Sequence, residues 1–265
     1  MSARTFDAKR FVKGIDLAGL PDHRPVHFGA PTPAARPKIP APAVQPKSDE
    51  TQALVVGSQV QVFDKSVDAA LRTPIMESVL LAQLAAKKAS QDAYEAWYPK
   101  YFDVLSNIGW VIQDRTFHVS GGHSREVDVH ESVLALAASL LGGPATTAYQ
   151  IVAATLAALQ KLKEDSPSIA LFRRETQQAQ AASFQVSVAE KDGDGKVSVG
   201  FLAFRLNATA SSTTVLFFKF KSEEARFEYN SARLGIVESV LTSVAPLIEE
   251  KVAQFVPGYV KAIEI

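Results

Sequence analysis

Residues 183–207 read SFQVSVAEKDGDGKVSVGFLAFRLN. Phe184, Val186 and Val188 alternate with Gln185 and Ser187, the period-two pattern of a strand. A second strand-like run, KVSVGFLAFRLN, follows across KDGDGK. Glycine and aspartate tolerate positive φ, so that link suits a tight hairpin. TTVLFFKFKS (213–222) and ARFEYN (225–230) come next, separated by ATASS and SEE. Turn-sized links between successive strands imply an antiparallel meander. Asp192 and Asp194 have the two-residue spacing of a calcium loop. An EF-hand also needs a longer ligand series, a glycine at its sixth position and a closing glutamate. None follows, so KDGDGK reads as a turn.

Helical patterns flank these strands. Upstream, ALVVGSQVQVF (53–63) alternates as a strand. Thr73-Pro74 with Glu77 marks a helix start, and Tyr98-Pro99 a stop or kink. A short helix over 100–108 and a strand over 110–119 complete this part. Asp128 and Glu131 form a capping signal. Two helices then span 128–163, separated by Gly142-Gly143-Pro144. From Ser132 to Gln160 no charged residue occurs. Each of these helices is shorter than the ~20 residues that span hydrocarbon. A last helix is expected over 231–255, with Leu234, Val237, Leu241, Val244 and Ile248 on its apolar face. YVKAIEI offers a terminal strand.

The predicted fold class is therefore α/β (α+β): a largely antiparallel sheet layered with helical hairpins, with helices on at least one face. Residues 21–46 hold eight of the fourteen prolines. Proline fixes φ and removes backbone donors, so residues 1–52 are expected to form an extended arm and 53–265 a single domain.

Composition narrows the function. Lys+Arg and Asp+Glu both number 28, so there is no basic excess for nucleic acid. The chain has no cysteine, which excludes disulfides, thiolate catalysis and cysteine metal sites. The opening residues lack the apolar core of a secretory signal. Synthesis in the cytoplasm is expected, compatible with later release. His118, His123 and His130 cluster in sequence, but their spacings match no usual zinc pattern. G-x-S-x-G, Walker A and G-x-G-x-x-G are absent. No catalytic, metal or cofactor residue is assigned, and an enzyme, a hydrolase of unknown substrate, ranks third among the function classes.

The order of elements resembles the cytolytic delta-endotoxins (Cyt toxins), volvatoxin and the Erwinia virulence factor family. SVLALAASLLGGPATTAYQIVAATLAALQ and VSVGFLAFRLNATASSTTVLFFKFKS carry the resemblance. The lipidated cysteine of the virulence factor has no counterpart here. The resemblance implies helical hairpins over a sheet and a protein that binds lipid, forms pores or self-assembles. Leu140, Leu141, Ile151 and Leu156 on the uncharged hairpin, with Leu216, Phe217, Phe218 and Phe220 on the aromatic strand, are the candidate membrane or partner contacts. On that strand Leu216, Phe218 and Phe220 are expected beneath helices, with Lys219 and Lys221 on the other face. The alternative is a structural subunit or adaptor that docks on a neighbour through its N-terminal arm.

Overall fold

The structure is a computed structural model that describes residues 3–23, 50–90, 96–112, 117–119, 127–178, 181–207, 219–220 and 226–265. The first half holds α1 (Ala3–Gly14), β1 (Gln52–Val56), β2 (Gln59–Phe63), α2 (Ala69–Ala89), α3 (Trp97–Asn107), β3 (Trp110–Val111), β4 (His118–Val119) and β5 (Val127–Asp128). Next come α4 (Val129–Leu141), α5 (Thr147–Lys161), α6 (Pro167–Thr176), β6 (Gln177–Gln178), β7 (Ala181–Lys191) and β8 (Val197–Asn207). The chain closes with β9 (Lys219–Phe220), β10 (Arg226–Ile236), α7 (Glu238–Val252), α8 (Val256–Tyr259) and β11 (Val260–Ile263).

The main sheet has the order β11-β1-β2-β7-β8-β10-β3. Its pairs are antiparallel except β2 with β7, which run parallel and join the N-terminal hairpin to the C-terminal strands. The three central strands β7, β8 and β10 are each 11 residues long. Asp192 closes the β7–β8 turn: its Oδ1 accepts from the backbone N–H groups of Asp194 and Lys196, both at 2.9 Å. Gly195 there takes φ +76°, a conformation glycine adopts without steric cost.

Strand alternation feeds two separate cores, one on each face. Val60, Val62, Phe184, Val186, Leu202 and Phe204 point toward α4, α5 and α6. Leu54, Val56, Phe63, Val199, Phe201 and Leu234 point toward α1, α2, α3 and α7. Helices thus cover both faces, and the chain is a three-layer α/β/α domain. The face toward α2 and α3 also carries a buried polar row, Gln59, Gln61, Gln185 and Ser187, each at most 1% exposed.

Five expectations need correction. Residues 3–14 are not extended. Helix α1 forms there, and Ala8, Val12, Ile15 and Leu17 are buried in the α7-side core. Its apolar residues recur at helical spacing, and the prolines begin only at Pro21. Residues 24–49 lie outside the described set. Second, α2 begins at Ala69, and Pro74 lies inside it; Ala69, Ala70 and Leu71 are good helix formers that extend the first turn upstream. Pro99 falls in the first turn of α3, where a missing N–H is tolerated. Third, helix α6, unforeseen over 167–176, starts at Pro167 after Ser166, whose Oγ accepts from Ile169 N at 3.4 Å.

Fourth, the meander is broken. The neighbour of β8 is β10, while β9 is a two-residue strand paired with β5 away from the main sheet. Fifth, residues 231–236 belong to β10 rather than to the last helix. Ala232, Leu234 and Ile236 alternate with Ser231, Arg233 and Gly235, a period-two pattern, and the glycine disfavours helix.

Candidate functional site

The two helix layers are held by different physics. Helices α4 and α5 sit on the sheet shallowly. Helix α4 buries Val129, Val133, Ala137 and Leu141, and α5 buries Ala148, Val152, Thr155, Leu156 and Leu159. By contrast α2 buries 14 of its 21 residues. The α4–α5 pair is locally well built. Asp128 caps α4 by accepting from Glu131 N at 3.0 Å. Gly142 ends it at φ +87°, and Thr146 caps α5 by accepting from Tyr149 N at 3.4 Å. These caps satisfy backbone groups at the helix ends from within the pair itself.

From Glu131 to Leu162, every side-chain hydrogen bond among the described residues closes within its own helix or cap. Ser132 Oγ donates to the Asp128 carbonyl and Thr155 Oγ1 to the Ile151 carbonyl. The seat of α4 on the sheet is apolar and tight. Leu141 lies over Gly200, where an added Cβ would stand 2.6 Å from Leu141 Cδ2. The outward side carries Ala135, Ser139, Gln150 and Ala154, exposed and uncharged.

The α2–α3 layer is pinned to the sheet by hydrogen bonds instead. Gln83 of α2 accepts from Ser58 N at 2.8 Å and donates to the Val56 carbonyl at 2.8 Å. Tyr98 of α3 donates toward the carbonyls of Phe204 and Phe184, at 2.9 and 3.2 Å, and accepts from Gln185 Nε2 at 2.8 Å. Tyr101 donates to Gln59 Oε1 at 2.8 Å. Gln59 Nε2 donates to Ser187 Oγ at 2.7 Å, and Ser187 donates to Gln61 Oε1 at 2.8 Å. Burial, and then the neighbouring Tyr98, push the Tyr101 hydroxyl well above its ordinary pKa. It therefore stays protonated and keeps its donor role.

The structure brings four of the candidate contacts together on the α4–α5 layer. Leu141 and Leu156 are buried in its core, and Leu140 and Ile151 are half-buried at its margin. Leu216, Phe217, Phe218 and Lys221 lie outside the described residues. Phe220 and Lys219 are described only as backbone in β9, opposite Val127 and Asp128. Of the histidines, His118 is exposed near the Tyr229 ring, 5.8 Å between centroids. His130 is half-buried near the start of α4, and His123 is outside the described set. Among the described residues, no group of three His, Asp or Glu side chains could hold a metal ion. No described helix is long and apolar enough to cross a membrane.

The polar pins were not foreseen from sequence. The signal for them was Gln59, Gln61, Gln185 and Ser187 alternating with valines and Phe184, which also fits a solvated sheet face. Only the coverage by α2 and α3 distinguishes the two cases.

No family model matches the chain, and no curated protein does. Among solved structures the chain is similar to one described as delta-endotoxin, with 11% identity and a TM-score of 0.37, covering 80% of this chain and 97% of that one. It is also similar to the structure of the Evf virulence factor, with 15% identity and a TM-score of 0.35, covering 82% and 86% of the two chains. Both descriptions belong to the group that the order of elements in the sequence resembles.

Proposed function

We propose that the chain is a membrane-interacting, cytolysin-like protein in which the α4–α5 pair leaves the sheet at a lipid surface while α2 and α3 remain bound. The observation that carries this reading is the asymmetry of the two layers: apolar side chains form the seat of α4–α5, whose residues 132–160 carry no charge, and a buried hydrogen-bond network seats α2 and α3.

The solvent decides which contact is strong. In water, exposing Val129, Val133, Leu141, Val152, Leu156 and Leu159 costs roughly 1.5–3 kcal/mol each, so the pair stays closed. In hydrocarbon, lipid tails are as apolar as leucine, and apolar contact loses most of its driving force. Hydrogen bonds keep theirs, because an unmet polar group there is costly. Lipid therefore loosens α4–α5 selectively and leaves the apolar sheet face around Phe184, Val186, Leu202, Phe204 and Phe227 to meet it. Strands of 11 residues match the ~9–11 residues of a tilted membrane strand.

The test is dye release and flotation with vesicles of several lipid compositions across pH. Binding accompanied by release is the expected result. Protein that neither binds nor releases dye under any of these conditions would overturn the proposal.

A further inference from the structure

A separate crevice lies where the turn of the β1–β2 hairpin meets the C-terminal ends of α2 and α6. Its cavity of 90 Å³ is lined by Gln83, Lys87, Trp97, Arg174, Glu175 and Tyr259 among others. That is below the ~300 Å³ at which drug-sized ligand pockets begin, yet large enough for a small oxyanion.

Glu175 is the anchor, with its side chain 6% exposed. It pairs with Lys87 at 2.9 Å and with Arg174 Nε at 2.7 Å. Both cations also lie over the Tyr259 ring, at 5.3 and 5.2 Å from its centroid. Arg174 Nη2 donates to the Gly258 carbonyl at 2.9 Å, and Lys87 Nζ to the Tyr259 hydroxyl at 3.4 Å. One carboxylate thus faces two cations, and among the described residues these bonds use two of the five N–H donors of the guanidinium and two of the three of the ammonium.

The charges around the crevice are mixed: Lys87 and Arg174 face Glu175, and burial and then that carboxylate hold the Tyr259 hydroxyl well above its ordinary pKa. Lys261 loses proton affinity through burial and then through Arg174. His23, whose ring is 5.5 Å from that of Tyr259, does so as well, chiefly through burial and then through Arg174. An arginine fork beside a lysine is the usual donor set for phosphate.

We infer that this crevice binds a phosphate-class oxyanion, held by Arg174 and Lys87 against the wall of Trp97 and Tyr259. The group can come from a free phosphate monoester or from a lipid headgroup. The site does not depend on movement of α4–α5, and its test is independent of membrane activity.

Thermal unfolding is followed with inorganic phosphate against chloride at matched ionic strength. Phosphate is expected to raise the Tm in a saturable way, as binding to the folded state requires. Lys87→Gln and Arg174→Gln should abolish the rise, while Lys196→Gln in the exposed β7–β8 turn should keep it. Glu175→Gln removes the competing carboxylate and should tighten apparent binding roughly tenfold or more, since a charge a few Å away is lost. A purely structural ion-pair cluster would give no such gain. The Glu175 variant also keeps the proposal testable if the cation variants fold poorly.

Glycerol phosphate and phosphatidylcholine vesicles with and without phosphatidate separate the sources. Vesicle binding that needs both phosphatidate and Arg174 identifies a headgroup. A response to the soluble phosphates alone identifies a free monoester. No rise in the wild type, or a rise equal in wild type and all crevice variants, would overturn the inference.

Discussion

Replacing Gly200 with alanine would put a methyl group 2.6 Å from Leu141 Cδ2 and 3.3 Å from Val188 Cγ1. Real contacts of that kind are ordinary only beyond 3.4 Å, so the Leu141 side chain must give way by nearly 1 Å. Overpacking of this kind costs about 1–3 kcal/mol. Losing a glycine from the unfolded chain returns ~0.4–1 kcal/mol. The net loss is therefore about 1.3 kcal/mol at the midpoints of these ranges, and about 0–2.6 kcal/mol at their extremes, and it falls on the α4 seat. Denaturant unfolding gives the total, and hydrogen exchange by mass spectrometry locates it. Amides of α4 should exchange faster while those of α2 hold, and vesicle release should begin sooner. Gly235→Ala is the control, because its new Cβ would lie 3.6 Å from Val111 Cβ, an ordinary contact. A Gly200→Ala protein of wild-type stability, or one destabilised with no change in α4 exchange, would refute the reasoning.

Glu77, 4% exposed in α2, has its pKa pushed from 4.5 to about 7 by burial and then by Glu249. The folded state thus holds a proton that the unfolded state releases, so the contribution of Glu77 to stability is full below about pH 4.5 and is lost as pH rises through about 7, by roughly 3 kcal/mol in total. Glu77→Gln should flatten that slope in denaturant titrations taken across the window; an unchanged slope would contradict it. Tyr101→Phe removes the donor to buried Gln59 Oε1 and should cost about 1–3 kcal/mol, with faster exchange in α3; a neutral variant would show that the pin is idle. Phe184→Ala, emptying a fully buried site stacked 4.7 Å from Phe204, should cost ~3–5 kcal/mol in the same assay.

The fold was legible where local pattern and tertiary role agree. Strand β7 alternates cleanly, β8 follows it across a Gly/Asp turn, and α4 and α5 carry their own caps, so their approximate bounds and the mixed α/β class could be read directly. The aromatic stretch 213–222 was expected beside β8, a place the described pairing gives to β10; most of that stretch lies outside the described residues. Helix α1 was hidden by the proline-rich stretch that follows it, although Ala8, Val12 and Ile15 recur at helical spacing. The uncharged hairpin could be recognised as a layer. The contrast between its apolar seat and the hydrogen-bonded seat of α2 and α3 could not, because that depends on where Gln59, Gln185, Tyr98 and Tyr101 meet across the sheet. Such meetings join residues far apart in the chain, and periodicity carries no information about them. The Lys87, Arg174 and Tyr259 crevice is hidden for the same reason.

The absence of cysteine permits clean spin labelling, and a pair of distances addresses the separation of layers. Labels at the exposed positions Ser139 of α4 and Asp194 of the β7–β8 turn report the α4–α5 layer against the sheet. Labels at Ala70 of α2 and Asp194 report the pinned layer. On adding vesicles that bind the protein, the Ser139–Asp194 distance should lengthen and broaden while the Ala70–Asp194 distance stays fixed. A Ser139–Asp194 distance unchanged on bound vesicles, or both distances lengthening together, would contradict selective release of the apolar layer.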